Sequence, residues 1–293
     1  MRITRTIIFR AHLFLRFVIH CTLFFFVQIS SGQFYDDFSD GNFISGPEWT
    51  GDTADFSITY SSAVPDGQKP ALKLDANESD TSFLVVASPL ASHAEWRFWV
   101  KLSFNTSSNN YARVYLLSDQ ADLSGLLNGY FVQLGGSNDS IGLFRQSGSA
   151  ITPLIKGEHA FTGNSTNLMR IKVTRDESGY WQLMSDPEGG YNFALEGSCI
   201  DTGYAASSFF GIFCRYTSSN ATKFYFDDLY GNVLFADTIA PVITAIEVTS
   251  PSSLLLYFSE TLEKNSAEDS LNYFVSNGMG HPLKAILDPA DQT

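Results

Sequence analysis

Two short acidic segments, far apart in the chain, carry the residues best suited to binding a metal ion. The first, FYDDFSDG, holds Asp36, Asp37 and Asp40, and the second, KFYFDDLY, holds Asp227 and Asp228. Calcium takes about six to eight oxygen ligands, and carboxylates converging from two paired strands could supply several of them. The spacing does not match an EF-hand loop, and aspartates in turns also accept backbone hydrogen bonds. A structural calcium site and a set of solvated turn aspartates therefore both remain open.

A second group of residues combines aromatic rings with planar hydrogen-bonding groups on predicted strands. Its members are Trp99, Tyr111, Arg113, Tyr115, Gln133 and Arg145. Sugars stack their apolar faces on aromatic rings and take hydrogen bonds from Arg and Gln side chains, so the group suits a carbohydrate ligand. Large side chains of this kind also cover the second face of a β-sandwich, with arginines paired to acids. The sequence leaves this alternative open.

Sequence motifs of catalysis are missing. The histidines beyond residue 32 are His93, His159 and His281, none of them in an HExxH arrangement, and the sequence has no GxSxG elbow, phosphate-binding loop or dinucleotide fingerprint. Jelly-roll glycosidases place two carboxylates on one strand face, whereas Glu95 is the one acid on its predicted strand. We therefore predict that the protein is not an enzyme.

Short runs of aromatic and β-branched residues, separated by clusters of Gly, Ser, Asn and Asp, predict the strands that position these residues. In the clearest one, residues 95–104, alternation directs Trp96 and Phe98 into the core and Trp99 to the opposite face. In residues 111–117 the tyrosines and the arginine face outward. Three hairpins across polar turns are predicted from the pairs 129–135 with 141–146, 167–175 with 180–185, and 209–216 with 223–230.

These strands predict an all-β fold, a two-sheet antiparallel jelly-roll sandwich. The two acidic segments bracket it, and we expect them to pair side by side as its first and last strands. Residues 33–236 would then form one domain, which is long enough to bury a sizeable core.

The N-terminal 32 residues have the layout of a secretory signal peptide. Four arginines and no acid precede or interrupt an apolar stretch, and small residues precede a cut ahead of Gln33. Arg16 and His20 interrupt the apolar stretch, and its uninterrupted part is shorter than the roughly 20 residues that a spanning helix needs. We therefore predict a secreted or cell-surface protein that does not insert into a membrane after signal cleavage.

The net charge of the mature chain limits the partners that it can bind. Cleavage removes four of 18 basic residues and leaves 14 against 31 acids, a formal charge of −17. Such a surface repels phosphate backbones and anionic membranes, so nucleic acid is not an expected partner.

Cys199 and Cys214 remain in the mature chain; exported cysteines of this kind often form a disulfide, and the alternative is two free buried thiols.

Six segments together resemble a known domain family. They are DDFSDG, EWRFWVKLSF, NNYARVYLLSDQADLSG, NGYFVQLGG, RIKVTRDESGYWQLMSD and KFYFDDLY. They look like the concanavalin A-like, laminin G-like jelly-roll domain of secreted bacterial surface proteins, which often carry lamin-tail modules. The resemblance covers most of residues 33–236 and implies a two-sheet sandwich with a curved face, a frequent site of carbohydrate recognition in such folds.

Residues 237–293 open with a short DTIAP linker and are similar to a bacterial Ig-like domain of the surface-layer type, with its FSE and NY segments. An Ig-like sandwich needs about 100 residues. We therefore expect only the N-terminal part of an incomplete Ig-like β-sandwich in these residues.

These observations predict a non-catalytic secreted or cell-surface protein that binds glycan or another extracellular polymer, and so acts in adhesion, with the Ig-like part as a spacer. Two alternatives remain. The chain could be the non-catalytic appendage of a larger glycoside hydrolase or other exported enzyme, or it could be a purely structural surface module.

Overall fold

The computed structural model describes residues 33–234, 241–260, 262 and 264–287, and the chain divides into two units between Leu234 and Phe235. The strands of the first unit are β1 Phe34–Asp36, β2 Thr50–Gly51, β3 Phe56–Thr59, β4 Ala71–Leu74, β5 Asp80–Ala87, β6 Ala94–Leu102, β7 Tyr111–Ser118, β8 Leu127–Gly135, β9 Ser140–Gly148, β10 Ala150–Phe161, β11 Asn167–Arg175, β12 Tyr180–Asp186, β13 Ala194–Ile200, β14 Phe209–Tyr216 and β15 Phe224–Val233. The second unit contains β16 Ile243–Ser250, β17 Ser253–Phe258 and the helix α1 Lys264–Glu268. Short 3-10 helices cover Thr53–Asp55, Asp66–Gln68, Ser218–Asn220 and Ser270–Asn272.

Antiparallel pairing arranges the strands of the first unit in two sheets. The eight-stranded sheet has the order β13-β12-β11-β6-β15-β4-β3, with β1 also paired to β15. The seven-stranded sheet has the order β10-β9-β8-β7-β14-β5-β2. The predicted all-β fold, a two-sheet antiparallel jelly-roll sandwich, is therefore confirmed.

The core lies between the two sheets, because alternate side chains of each strand point inward. Trp96 and Phe98 of β6 are buried there, as are Ala112 and Val114 of β7, and all four face the core as predicted. The ring of Trp96 stacks on that of Trp181 in β12, with 5.8 Å between the ring centroids. Because full burial of a large apolar side chain contributes about 1.5–3 kcal/mol, this layer holds the two sheets in place.

The first and last strands of the sandwich are neighbours in the eight-stranded sheet. Phe34 of β1 lies opposite Gly231 of β15, and the two strands run antiparallel. A β-carbon at residue 231 would overlap the ring of Phe34, so glycine allows the phenylalanine to pack directly on the β15 backbone. The pairing predicted from the two acidic segments is confirmed.

Two of the three predicted hairpins are present, and the third is wrong. Strand β8 pairs with β9, and β11 pairs with β12. Strands β14 and β15 lie in different sheets: β14 pairs with β5 and β7, whereas β15 pairs with β1, β4 and β6. Residues 217–223 therefore cross from one sheet to the other. Polar turn residues serve both kinds of connection, so their presence alone does not establish a hairpin.

Strands β10 and β13 have no counterpart among the predicted strands, and both lie at sheet edges. Strand β10 contains Pro153, which cannot donate a ladder hydrogen bond and is tolerated at an edge. In β13 the buried side chain is Glu196, while Leu195 is exposed. Neither segment shows the apolar alternation that identifies a half-buried strand.

The second unit consists, in its described residues, of the hairpin β16–β17, the helix α1 and a 3-10 helix. Apolar side chains of the hairpin, among them Ile246, Val248 and Leu254, are exposed. The Ig-like sandwich expected for residues 237–293 stays a prediction.

The predicted signal peptide, residues 1–32, lies outside the described residues. Among the residues that the structure describes, no helix is both long enough and apolar enough to cross a membrane.

Gly129 of β8 tests how closely the strands of the seven-stranded sheet pack. A β-carbon at this position would overlap the backbone carbonyl of Leu117 in β7, beside the point where β7 and β8 shift register. Because the backbone has to move to make room, we expect Gly129→Ala to lower the free energy of unfolding by about 2 kcal/mol or more. Urea unfolding measures this change.

Gly67 provides the matched control, since a β-carbon there would meet no atom within 4 Å. Gly67→Ala should leave the free energy of unfolding within about 0.5 kcal/mol of the wild type. Equal stability of the two variants would contradict the strand geometry described here.

Candidate functional site

Arg113 lies in a row of side chains on the seven-stranded sheet that points away from the core. It is opposite Gln133 of β8 on one side and opposite Phe213 of β14 on the other. Tyr111 and Tyr115, two positions away along β7, point to the same side. We call this surface the Arg113 face, and it comprises Tyr111, Arg113, Tyr115, Phe131, Gln133, Phe144, Gln146 and Phe213. The structure thus brings together four of the six residues that the sequence grouped.

The Arg113 guanidinium lies over aromatic rings and is held by hydrogen bonds at its edge. Its central carbon is 4.5 Å from the centroid of the Phe131 ring and 5.2 Å from that of Tyr111, distances at which a cation is attracted to a ring face. Its Nε donates to Gln133 Oε1 over 3.1 Å, and a terminal nitrogen donates to the Tyr115 hydroxyl over 3.4 Å. These contacts fix the plane of the guanidinium.

The side chains that hold Arg113 are themselves fixed. Gln133 Nε2 donates to the Gly135 carbonyl over 3.1 Å. The Tyr115 hydroxyl donates to Gln146 Oε1 over 2.8 Å, and Gln146 Nε2 donates to the Gly148 carbonyl over 2.9 Å. Burial raises the pKa of Tyr115, so its hydroxyl keeps the proton that it donates. The polar groups of the face are therefore arranged before any ligand arrives.

Arg113 has no ion-pair partner among the residues that the structure describes. The alternative in which the arginines of this group pair with acids does not hold at this position. A half-buried guanidinium without a carboxylate keeps an uncompensated charge, which attracts oxygen atoms of an incoming molecule.

Phenylalanines form the floor of the Arg113 face. The rings of Phe131 and Phe144 are stacked, with centroids 5.3 Å apart, and the Tyr115 ring lies 4.9 Å from that of Phe131. Leu127 at the start of β8, and Leu123 before it, pack against the same cluster. The sequence reasoning missed Phe131 and Phe144, although their alternation with core residues of the predicted 129–135 and 141–146 strands would have placed them on this face.

Trp99 does not belong to the Arg113 face. It lies in β6, in the eight-stranded sheet, whereas β7 belongs to the other sheet. Its side chain points away from the core as predicted, but it is buried against Val64, Ala71 and Tyr225. Consecutive strands of a sandwich often join different sheets, which is why the predicted neighbourhood of Trp99 and Tyr111 is wrong.

Arg145 also lies away from the Arg113 face. It is directly opposite Tyr130 in β8, on the side of the sheet that faces the core, whereas Gln133 points to the other side. Its guanidinium forms an ion pair with Asp201 at 2.5 Å, and the Tyr130 hydroxyl donates to the same carboxylate. Burial and this hydrogen bond raise the pKa of Tyr130 to about 12. Arg145 therefore has a structural partner.

The first acidic segment uses its aspartates to fix a turn. Asp36 accepts hydrogen bonds from the Trp49 indole nitrogen and the Phe38 backbone nitrogen, each over 2.8 Å. Burial raises the pKa of Asp36 to about 6. Asp37 accepts from the Ser39 backbone nitrogen, and Asp40 accepts from that of Asn42. These aspartates accept backbone hydrogen bonds in a turn, as the alternative to a calcium site expects, but Asp36 is buried rather than solvated.

The second acidic segment sits at a β-bulge. Strand β15 shifts register against β6 between Asp227 and Tyr230, and Asp228 has a φ of +50° there. Asp228 forms an ion pair with Arg170 at 2.7 Å and accepts a hydrogen bond from the Tyr35 hydroxyl over 3.0 Å. Asp227 is 3% exposed, and burial, followed by the charge of Asp228, raises its pKa to about 8.

The calcium site that the sequence left open at these five aspartates finds no support in the described residues. In this part of the chain, no group of three or more His, Cys, Asp or Glu side chains is placed to hold a metal ion. The carboxylates accept hydrogen bonds from backbone nitrogens, and Asp228 forms an ion pair with Arg170.

The predicted disulfide between Cys199 and Cys214 is wrong, because both cysteines are free. Cys199 lies in β13 at the edge of the eight-stranded sheet, whereas Cys214 lies in β14 within the seven-stranded sheet. Burial raises the pKa of both thiols, which keeps them protonated and unreactive.

No protein-family model matches this chain, and no curated protein matches it in sequence. Among solved structures, the chain is similar to the carbohydrate binding module CBM66 from Bacillus subtilis, with a TM-score of 0.43 and 11% identity over 63% of this chain and 94% of that one. It is also similar to the VIP36 exoplasmic/lumenal domain in its Ca2+/Man3GlcNAc-bound form, with a TM-score of 0.48 and 12% identity over 71% and 90% of the two chains. It is similar as well to the Emp46p carbohydrate recognition domain in its metal-free form, with a TM-score of 0.46 and 11% identity over 66% of this chain and 90% of that one. The class of the first unit, an all-β jelly-roll sandwich, rests on its own strand pairing.

The raised pKa of Asp227 predicts a pH dependence of stability. The folded state holds the proton up to about pH 8, whereas the unfolded chain releases it near about pH 4. The stabilisation that this proton provides is complete below about pH 4 and is lost as the pH rises to 8. Asn keeps the side-chain oxygen that accepts from the Asp228 backbone nitrogen and cannot ionise. We expect Asp227→Asn to match the wild-type melting temperature at low pH and to exceed it at pH 8.

Asp66 gives a control of opposite sign. Its hydrogen bond and ion pair with Lys69 lower its pKa, so Asp66→Asn should be slightly less stable at pH 8 and should lose this difference only as the pH falls below about 4. Thermal unfolding between about pH 2 and pH 8 measures both differences. If the melting temperatures of the wild type and Asp227→Asn change in parallel with pH, Asp227 is not protonated and buried as described.

Proposed function

We propose that this chain is a non-catalytic carbohydrate-binding protein and that the Arg113 face is its binding surface. The observation that carries the proposal is the position of the Arg113 guanidinium, which is unpaired among the described residues and is held flat on an aromatic floor by Gln133 and Tyr115.

The chemistry of the Arg113 face suits a sugar ring. The apolar side of a pyranose packs on aromatic rings, and its oxygens accept hydrogen bonds from planar groups. Tyr111 and Phe144 are half-buried and offer ring surface, while Arg113 offers nitrogen donors of fixed orientation. Because the charge of Arg113 has no carboxylate partner in the described residues, a sugar that carries an acidic group would supply it. We therefore expect acidic saccharides to bind best at this face.

The cellular setting follows from the sequence. A signal peptide in residues 1–32 would export the chain, and an Ig-like spacer in residues 237–293 would hold the sandwich away from an attachment point. We propose a role in adhesion at the cell surface or in the secreted state, with a glycan or another extracellular polymer as the partner.

Substitution of Arg113 tests the proposal. The mature chain, applied to an array of neutral, uronate-containing and sialylated oligosaccharides, should bind a defined subset of them. Arg113→Gln removes the charge and the guanidinium fork and leaves a shorter amide, so it should weaken this binding about tenfold or more, since a hydrogen bond to a charged group contributes about 1.5–3 kcal/mol. Arg113→Lys keeps the charge but loses the planar fork, and it should restore binding only in part.

Lys69→Gln removes the same charge in the segment that precedes β4 of the other sheet and should leave binding unchanged. Unchanged melting temperatures would show that the Arg113 variants are folded. If the folded wild type binds no acidic saccharide on the array, or if Arg113→Gln binds the acidic saccharides as well as the wild type does, the Arg113 face is a structural surface and the proposal is wrong.

A further inference from the structure

A cleft of about 400 Å³ opens on the eight-stranded sheet, among side chains that point away from the core. The Arg113 face lies on the seven-stranded sheet, so the two surfaces are separate. It is lined by Gln33, Tyr35, Arg97, Arg170, Tyr191, Asp228 and Tyr230. Pockets for small ligands commonly have volumes of about 300–1,000 Å³, so this cleft is large enough to take one.

A row of opposed side chains on β1, β15 and β6 forms the floor of the cleft, and Lys172 of β11 continues the row beside it. Tyr35 of β1 lies opposite Tyr230 of β15, Tyr230 lies opposite Arg97 of β6, and Arg97 lies opposite Lys172 of β11. The guanidinium carbon of Arg97 is 4.2 Å from the centroid of the Tyr230 ring. Regular strands therefore fix the order and spacing of these groups, which is more precise than a site made of loops alone.

The wall of the cleft is a tyrosine held by a buried arginine. Arg170 is 2% exposed, and its guanidinium carbon lies 4.2 Å from the centroid of the Tyr191 ring. Arg170 also donates to the Gly189 carbonyl and to Gln68, each over 3.1 Å, and pairs with Asp228. This network positions Tyr191 although the residue lies in the connection between β12 and β13.

Two tyrosine rings remain open to a ligand. Tyr191 is 63% exposed and Tyr35 is 52% exposed, and the Tyr35 hydroxyl is anchored on Asp228 over 3.0 Å. Large aromatic side chains that are both exposed and immobilised provide stacking surface without a further loss of side-chain entropy on binding.

The charges around the cleft are compensated within the protein. Arg97 Nε is 2.9 Å from one oxygen of Glu95, Lys172 is 3.1 Å from the other, and Arg170 is paired with Asp228. The cations are Arg97, Arg170 and Lys172, and the carboxylates are Glu95, Asp228 and Asp37, the last of them 3.5 Å from the Tyr35 hydroxyl. A ligand therefore needs no net charge of its own to enter.

We propose that this cleft is a second saccharide-binding site and that it takes neutral sugars. The rings of Tyr35 and Tyr191 stack on the apolar side of a sugar. The terminal nitrogens of Arg97, which have no hydrogen-bond partner among the described residues, donate to its oxygens. Asp228 accepts from its hydroxyls, since a carboxylate has about four acceptor positions and uses two of them here.

The neutral class follows from the mixture of donors and acceptors. A sugar hydroxyl both donates and accepts a hydrogen bond, so it can bind Arg97 and Asp228 at the same time. An acidic sugar would bring its own carboxylate close to those of Asp228 and Glu95, and like charges in close proximity repel each other. This site does not depend on the Arg113 face binding any ligand.

Tyrosine substitutions provide the test, because Tyr191 is exposed and its replacement leaves the core intact. The mature chain is applied to an array of neutral oligosaccharides made of glucose, galactose, mannose and N-acetylglucosamine units, printed beside sialylated and uronate-containing counterparts. We expect a neutral ligand whose affinity falls about tenfold in Tyr191→Ala, on the scale of a lost aromatic contact, and is largely kept in Tyr191→Phe. Arg97→Gln should also weaken the binding of this ligand. Isothermal titration calorimetry measures the affinity of each variant.

Tyr60→Ala is the matched control, since Tyr60 is 66% exposed but does not line the cleft. It should bind the neutral ligand like the wild type. The inference is overturned if the folded wild type binds no neutral saccharide, if it binds only acidic ones, or if Tyr191→Ala and Arg97→Gln keep full affinity. Loss of neutral binding in Arg113→Gln, with none in Tyr191→Ala, would assign that ligand to the Arg113 face and also overturn the cleft.

Discussion

Alternation of side chains along each strand is the constraint on which both surfaces depend. A strand that fills the core with every second residue has to present the remaining residues on the outside. In the seven-stranded sheet the outer row contains Arg113 on a phenylalanine floor, and in the eight-stranded sheet it contains Arg97 between tyrosine and lysine. The two rows use similar residue types but differ in charge compensation, because Glu95 lies beside Arg97 and Arg113 has no such partner among the described residues.

Local alternation explains which parts of the fold could be predicted. Trp96 and Arg113 point where the pattern places them, because that depends only on their neighbours in sequence. Which sheet a strand joins depends on contacts between distant segments, so Trp99 and the connection after β14 were assigned to the wrong neighbours. Arg145 is different: it alternates with Leu143, a core residue, so the sequence itself indicated the inward side.

The acidic segments show how burial changes the meaning of a residue type. Sequence alone identified five aspartates near paired strands, and the pairing of β1 with β15 is as expected. It could not show that the bulge at Asp228 directs this carboxylate to Arg170, or that Asp227 is enclosed, because both depend on distant strands. Asp36 is likewise fixed by the indole nitrogen of Trp49, a contact that the sequence did not indicate.

The pairing of β1 with β15 determines how the sandwich responds to tension. Phe34 and Gly231 are opposite each other, so the chain enters and leaves the sandwich at the same end of two antiparallel strands. Tension applied through the two ends of the sandwich would open the hydrogen bonds of this pair one after another rather than all together. The three-residue strand β1 would peel away first, at low force, and would carry Tyr35 out of the cleft, while the Arg113 face on the other sheet keeps its strands.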